Sequence, residues 1–448
     1  MSAVPFERRA VASLASLYAF RMLGLFMVLP VLSLYGEVYD GSSPLMLGVA
    51  LGAYGFTQAI LQIPFGMWSD RWGRKPVIVV GLLLFALGSV VAAQASTVYE
   101  LIIGRCLQGG GAIASAIMAL VADLTSDENR TKAMAAIGAS IGLSFSVALV
   151  LGPVISAGYG LSGIFWLTAV LALVGIVILL RWVPTPVITQ ARSHRDAGAV
   201  PELLGRTLRN RELMRLNVGV GVLHCVLMAT FVVMPLILEQ QLGISREQHW
   251  QLYLPMLVLA FIAMVPFMIV AEKRRKIKPV FLGAVGLLGA MELVMAASLD
   301  ASLVFLAGLF LFFTAFNLLE ATLPSLMSKA APAGSKGTAS GIYSTSQFMG
   351  AFIGGVGGGW LLQEHGVGAV FACSTVMIAI WLAVAMTMST PRFLTSVQVP
   401  LEGQDPAAAE ARLGALPGVA EVVIIAEEQA AYLKVDNKLF DRQALKSS

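Results

Sequence analysis

The chain alternates between long apolar runs and short polar or Gly/Pro-rich breaks. A helix needs about 20 apolar residues to cross a bilayer, and runs of that length fall near 12–36, 45–68, 76–95, 99–123, 133–157, 161–183, 214–238, 249–271, 279–298, 302–326, 338–362 and 367–389. The pattern predicts twelve transmembrane helices. The first run is too long for the core of a cleavable signal peptide and lacks a convincing cleavage site. The longest break, 184–213, carries Pro184, Pro186, Pro201 and the basic stretch Arg206–Arg211, and it separates six runs from six. It reads as a cytoplasmic linker between an N-terminal half, 1–183, and a C-terminal half, 214–391.

After Pro391 the pattern changes, and residues 392–448 are soluble in character. Ser396–Leu401 alternates like a strand. Asp405–Leu416 predicts a helix, with Asp405 as its cap and Pro406 in the first turn. Gly418–Ala426 and Ala430–Val435 predict strands joined by Glu427–Gln429, and Asp441–Lys446 starts a second helix. The expected fold class is therefore an all-α membrane protein, with twelve transmembrane helices in two six-helix halves, plus a small C-terminal α+β ferredoxin-like cytoplasmic domain. That domain has no cysteine, so the Cys-x-x-Cys of copper-binding members of the architecture is missing.

Composition narrows the function classes. Hydrophobic residues make up 57% of the chain and charged residues 12%, against about 25% charged in a soluble domain. Such a chain cannot bury its apolar surface in water, which excludes a soluble enzyme, a disordered regulator and a nucleic-acid binder despite a pI near 9.0. Arginine and lysine cluster in alternate loops: Arg71, Arg74 and Lys75; Arg130 and Lys132; Arg206, Arg209 and Arg211; Lys273, Arg274, Arg275, Lys276 and Lys278; Lys329 and Lys336. The opposite loops hold a single cation, Arg246, and the acids Glu37, Asp40, Glu100, Asp300 and Glu364. The positive-inside rule puts both termini in the cytoplasm, and the basic excess faces the anionic inner leaflet. Cys106, Cys225 and Cys373 show no metal-ligand spacing, and no Gly-x-x-x-x-Gly-Lys-Ser/Thr run is present. No cofactor, metal site or enzyme active site is expected.

The densest motif is Gly66-Met-Trp-Ser-Asp70-Arg71-Trp-Gly73-Arg74-Lys75-Pro76. It resembles the loop 2–3 signature of the major facilitator superfamily, drug–proton antiporter type. The resemblance implies a conformational latch built from Gly66, Asp70, Arg71, Gly73, Arg74 and Asp123. In it Arg74 bridges Asp70 and Asp123, and Asp70 sits near the N-terminus of the eleventh helix in the outward-facing state, where a helix dipole favours an anion. For the basic residues alone, a topology anchor is the competing reading. Arg105-Cys-Leu-Gln108-Gly109 resembles the family's Arg-x-x-Gln-Gly motif, linked to proton coupling, although Arg105 could instead snorkel outward. Gly142 and Gly152-Pro153 resemble the antiporter motif of helix 5 in part, since Ala148, Ser156 and Ala157 stand where that motif prefers glycine. Small residues there also serve plain helix packing.

The resemblance implies a cavity lined by helices 1, 4, 7 and 10. Its proton or substrate candidates are Arg21, Arg105, Gln108, His224, Asn317 and Glu320. Charged groups at membrane depth are costly and face a cavity or a partner. A carboxylate there can take up a proton to lower its desolvation cost, so Glu320 is the leading proton candidate. The competing reading is a structural ion pair, such as Arg21 with Asp70 or Glu320 with a lysine. Glu292 reads as peripheral. The expected function is a proton-coupled exporter of small lipophilic compounds, working by alternating access in a bacterial inner membrane. Its partners are the bilayer, protons and a small-molecule substrate, and its tail either binds a ligand or contacts the transmembrane halves. Two alternatives stay open: a uniporter or proton symporter for a sugar or organic acid, and a membrane sensor whose tail binds a ligand.

Overall fold

A backbone at membrane depth must satisfy its own N–H and C=O groups, so the apolar runs are expected to be helical. They are helical in the computed structural model, which describes residues 3–125, 127–185, 201–390, 394–401, 405–425, 430–436 and 439–440. The elements of the first half are α1 (Ala3–Phe26), α2 (Leu32–Tyr35), α3 (Pro44–Trp72), α4 (Arg74–Gln94), α5 (Val98–Gly110), α6 (Ala114–Leu124) and α7 (Asp127–Trp182). A short helix α8 (Pro201–Leu208) precedes α9 (Arg211–Gln240), α10 (His249–Lys273), α11 (Ile277–Ala297), α12 (Ser302–Ala330), α13 (Lys336–His365) and α14 (Val367–Met386). Local sequence sets several starts. Ser43 caps α3 through the Met46 amide at 3.2 Å, with Pro44 next in line. Thr97 and Glu100 form a reciprocal capping box on α5. Asn210 accepts from the Glu212 and Leu213 amides at the start of α9.

The helices depart from the expected spans in three places. The predicted helix 12–36 stops at Phe26, and Met27–Val31 turn before α2. Pro30 lacks the amide that would continue the ladder. The predicted helix 99–123 breaks between Gly110 and Ala114, after the run Gly109-Gly110-Gly111, where helix propensity is lowest. The predicted spans 133–157 and 161–183 run on as α7, interrupted only at Gly160 with φ +62°. Among the described residues, ten helical segments are long and apolar enough to cross a membrane. One of them, Lys132–Trp182, covers two predicted spans, and the glycine-rich α13 is not among them. Length and apolarity alone therefore do not reach the expected twelve.

The two sets of helices meet along α3 and α13. Gly48, Gly52 and Gly55 of α3 lie directly against the backbone of α13: a Cβ on Gly52 would stand 2.8 Å from the Phe352 carbonyl, and one on Gly55 2.6 Å from that of Phe348. Without a hydrophobic force between helices in lipid, such close backbone approach is what holds them. A second seam is aromatic. Phe145 of α7 stacks edge-on against Phe26 (5.1 Å) and reaches Phe231 of α9 (6.4 Å) and Phe316 of α12 (6.0 Å).

The tail folds as β1 (Thr395–Pro400), α15 (Pro406–Gly414), β2 (Val419–Ile425) and β3 (Ala430–Val435), with an antiparallel sheet in the order β1-β3-β2. Asp405 caps α15 through the Ala408 amide at 3.1 Å, with Pro406 first in the helix. The expected helix at Asp441–Lys446, the turn Glu427–Gln429 and linker residues 186–200 lie outside the described residues.

Candidate functional site

The Asp70–Arg74–Asp123 arrangement is built at a turn only glycine allows. Gly73, at φ +95°, reverses the chain between α3 and α4. Arg74 therefore starts α4 facing back onto α3. Its guanidinium bonds Asp70 through Nη1, bonds Ser69 Oγ at 2.8 Å, and reaches Asp123 Oδ2 through Nε at 3.0 Å. Asp123 stands near the end of α6. Gly66 lets α3 approach α6, since a Cβ there would sit 3.1 Å from Ser115 Oγ. The fork geometry of arginine suits this double carboxylate bridge. Arg71 is exposed and takes no part in it. The Asp70 carboxylate pairs inside the first half, and no hydrogen bond or ion pair joins it to α13 among the described residues. Ser69 belongs to the cluster, yet a lone serine in an apolar run carries no signal in the sequence.

Mid-bundle, two arginines share one ring. Arg105 is fully buried, which removes the snorkelling alternative. Its Nη1 donates to Gln108 Oε1 at 2.8 Å, its Nε to the Ala50 carbonyl at 3.3 Å, and its charge lies 5.3 Å from the Tyr54 ring centre. Gln108 passes the chain on to Ser89 Oγ at 2.8 Å. Arg21, also buried, stands 5.7 Å from the same Tyr54 ring and 5.9 Å from that of Phe85. Its Nη2 donates to Gln58 Oε1, and Gln58 donates to Gln62 at 2.6 Å. Arg21 therefore pairs with amides, not with Asp70 or Glu320. The two cations are sealed within the first half by amide oxygens and ring faces. Gln58, Gln62, Tyr54 and Ser89 are partners the sequence did not single out.

The second half contributes a separate cluster. His224 of α9 places Nδ1 3.1 Å from the Val220 carbonyl and Nε2 2.8 Å from the Gln347 amide nitrogen of α13. Gln347 donates there, so Nε2 accepts and Nδ1 carries the proton, an assignment from the hydrogen-bond network. Glu320 Oε2 of α12 stands 3.6 Å from the same Nε2. Asn317, one turn away, is buried, and its amide nitrogen has no partner among the described residues. The lysine suggested for Glu320 goes elsewhere: Lys329 holds Glu272 at 2.8 Å and Ser325 at 2.6 Å. Glu292, read as peripheral, is the more completely buried acid, with Thr230 donating to it at 2.9 Å.

Of the two glycines expected in the helix 5 motif, Gly152 is tightly packed and Gly142 is not. A Cβ on Gly152 would meet the Met27 carbonyl at 2.5 Å, in the unwound stretch after α1, and Gly142 faces Phe261 of α10. Pro153 follows within α7. At the end opposite Asp70 the two halves are bonded directly. Arg246 grips Glu239 with Nε at 2.5 Å and Nη2 at 2.8 Å, and donates from Nη1 to the Leu34 carbonyl at 2.9 Å. A cavity of about 250 Å³ lies nearby, lined by Leu29, Leu32, Ser33, Leu51, Phe231 and Leu236 among others.

These features coincide with a known family. Residues 14–355 match the Major Facilitator Superfamily, and the chain belongs to it. Residues 396–448 match the YajR YAM domain. The chain is 46% identical to the inner membrane transport protein YajR of Escherichia coli K12, over 98% of this chain and 96% of that protein. It is 35% identical to an uncharacterized transporter of Buchnera aphidicola subsp. Acyrthosiphon pisum, over 78% of this chain and 89% of that one. The fold is shared with an inward-facing, occupied bacterial homolog of the human lysosomal transporter Spinster (TM-score 0.69, 13% identity, 85% of this chain and 96% of that chain). It is shared also with a D-xylose–proton symporter (TM-score 0.65, 18% identity, 85% and 97%). The chain is thus a multi-pass membrane transporter of small molecules, in a family of transporters and not of enzymes.

Proposed function

We propose that the protein is a proton-coupled exporter of small lipophilic compounds, cycling by alternating access between two six-helix halves. The observation that carries the reading is the pair His224–Glu320 at 3.6 Å, two titratable groups on facing helices of the second half, next to the aromatic seam with the first. Proton uptake on His224 would replace the Gln347 contact with an ion pair to Glu320. That gives a protonation step a mechanical consequence where the halves meet. The relay Asp70–Arg74–Asp123 would serve as the latch of the outward-facing state, and Arg21, Arg105 and Gln108 would stiffen the first half behind the cavity.

In this reading the chain crosses a bacterial inner membrane twelve times, with α7 counted as two crossings and α13 as one. Both termini and the tail face the cytoplasm, as the basic loops favour. The halves comprise 1–183 and 214–391, joined by 184–213, and the tail, 392–448, is ferredoxin-like, a reading its strand order β1-β3-β2 supports. The partial resemblance of Gly142 and Gly152-Pro153 to the antiporter motif favours export over import.

The test uses purified protein in proteoliposomes loaded with a pH-sensitive dye. Under an imposed proton gradient, a panel of lipophilic cations and small metabolites is added outside. A substrate-dependent proton flux, reduced at least tenfold in Glu320→Gln, is the expected result. Flux in the same direction as the solute would replace the antiporter by a symporter, and folded protein with no proton movement for any compound would refute the coupling.

A further inference from the structure

The transport reading makes no use of the tail, whose sheet has two faces. Along β3, Ala431, Leu433 and Val435 pack with Ala409 and Leu413 of α15. The alternate residues Ala430, Tyr432 and Lys434 point the other way. Among the described residues of the tail, α15 covers one face of the three-stranded sheet, and a face left without such a cover would meet water. Here that second face is not wet: Tyr432 is 2% exposed and Lys434 3%.

The transmembrane bundle covers it. Ala333, in the connection between α12 and α13, clusters with Ile425, Ala430 and Tyr432. Gly334 follows at φ +71°, and a Cβ there would stand 3.4 Å from Ile425 and 3.6 Å from the Tyr432 ring. Lys434 donates from Nζ to the Lys329 carbonyl at 2.8 Å. That carbonyl is in the last turn of α12, where no intrahelical donor remains and a cation is favoured. A lysine on the inward face of an otherwise apolar strand needs such a partner, because an unpaired buried ammonium is costly. Asp436, just past β3, pairs with Arg275 of the α10–α11 turn at 3.4 Å. All these contacts fall on the second half, and the connection they hold leads directly into the first turn of α13.

We propose that the C-terminal domain is a clamp on the second half: its open sheet face grips the α12–α13 connection and fixes the first turn of α13, the helix that lies along α3 of the first half. The clamp acts by rigid contact and sets how readily the two halves close at that end. It depends on neither the solute nor the coupling ion, so it stands or falls separately from proton-coupled export.

Hydrogen exchange on the full-length protein in lipid nanodiscs tests it. Ala333→Glu puts a carboxylate beneath Ile425 and Tyr432 while leaving the tail's own sequence intact, and Tyr432→Asp makes the same break from the other side. The expected result is exchange at least tenfold faster across 331–340 in both variants, with β3 still protected in Ala333→Glu. Exchange at 336–340 equal to that of the unsubstituted protein in both variants overturns the clamp. So does acceleration confined to 331–335. Should β3 also lose protection, Lys434→Met decides: at least threefold faster exchange at 336–340 supports the clamp, and unchanged exchange there overturns it.

Discussion

At the scale of single residues, the bundle holds cations without matching acids. Arg105 and Arg21 keep their charge and are solvated by amide oxygens, a backbone carbonyl and the Tyr54 ring, while Arg21 Nε and Nη1 and Arg105 Nη2 find no hydrogen-bond partner among the described residues. Hydrogen bonds to a charged group of this kind are worth about 1.5–3 kcal/mol each. His224 differs, because its bonds depend on protonation. With the Gln347 amide nitrogen turned to the ring, the neutral tautomer with its proton on Nδ1 serves Val220 and Gln347 together. A proton on Nε2 would make that nitrogen a donor facing Glu320 Oε2 at 3.6 Å and would oblige the Gln347 amide to turn. If His224 takes up the transported proton, His224→Gln should cut substrate-dependent proton flux in proteoliposomes at least threefold. Flux equal to that of the unsubstituted protein would remove His224 from the proposed coupling.

At the scale of the element, the break in the fourth run is the informative departure from a plain helix. It separates α5, which carries Arg105 and Gln108, from α6, which carries Asp123 of the relay. The three glycines are not equivalent. A Cβ on Gly109 would collide with the Tyr54 carbonyl and Thr57 Oγ1, and one on Gly111 with the Gly81 carbonyl, whereas Gly110 faces only Leu61 at 3.8 Å. Gly110→Ala therefore adds helix propensity of about 1 kcal/mol with no clash. It should raise the thermal midpoint in detergent while slowing transport severalfold, if the break is a hinge between the buried arginine and the relay. Gly109→Ala should lower the midpoint, by overpacking worth about 1–3 kcal/mol. A Gly110→Ala protein with unchanged rate would make the break a passive consequence of composition.

At the scale of the whole molecule, hydrogen bonds between the halves gather at the end away from the relay, among the described residues. Away from the relay, Arg246 ties α9 and the start of α10 to the Leu34 carbonyl of the first half, and Gln363 of α13 accepts from the Leu45 amide of α3 at 3.3 Å. At the relay end, the Asp70 pairing stays within the first half. Arg246→Ala removes a carboxylate bridge and a bond between halves together. It should raise the rate of thiol labelling at Ser33→Cys, in the nearby cavity, at least threefold in a background free of other reactive cysteines. Unchanged labelling would mean that the aromatic and glycine seams alone keep this end shut.

Much of this architecture is legible in the order of residues, because apolar length and periodicity are local properties. The apolar runs, the motif from Gly66 to Pro76, the change of character after Pro391, and the cap at Asp405–Pro406 all follow from neighbours in the chain. So does the Asp70–Arg74 pair, four residues apart across a glycine turn. What the tertiary structure decided are partnerships between distant positions: Arg21 with Gln58, Arg105 with the Ala50 carbonyl, Ser89 with Gln108, Arg246 with Leu34, and Lys434 with Lys329. Hydropathy can say that a guanidinium at membrane depth needs a partner, but not which amide a neighbouring helix will bring. The same holds for the tail, where alternation marks two faces of β3 and only packing shows that the bundle covers the second.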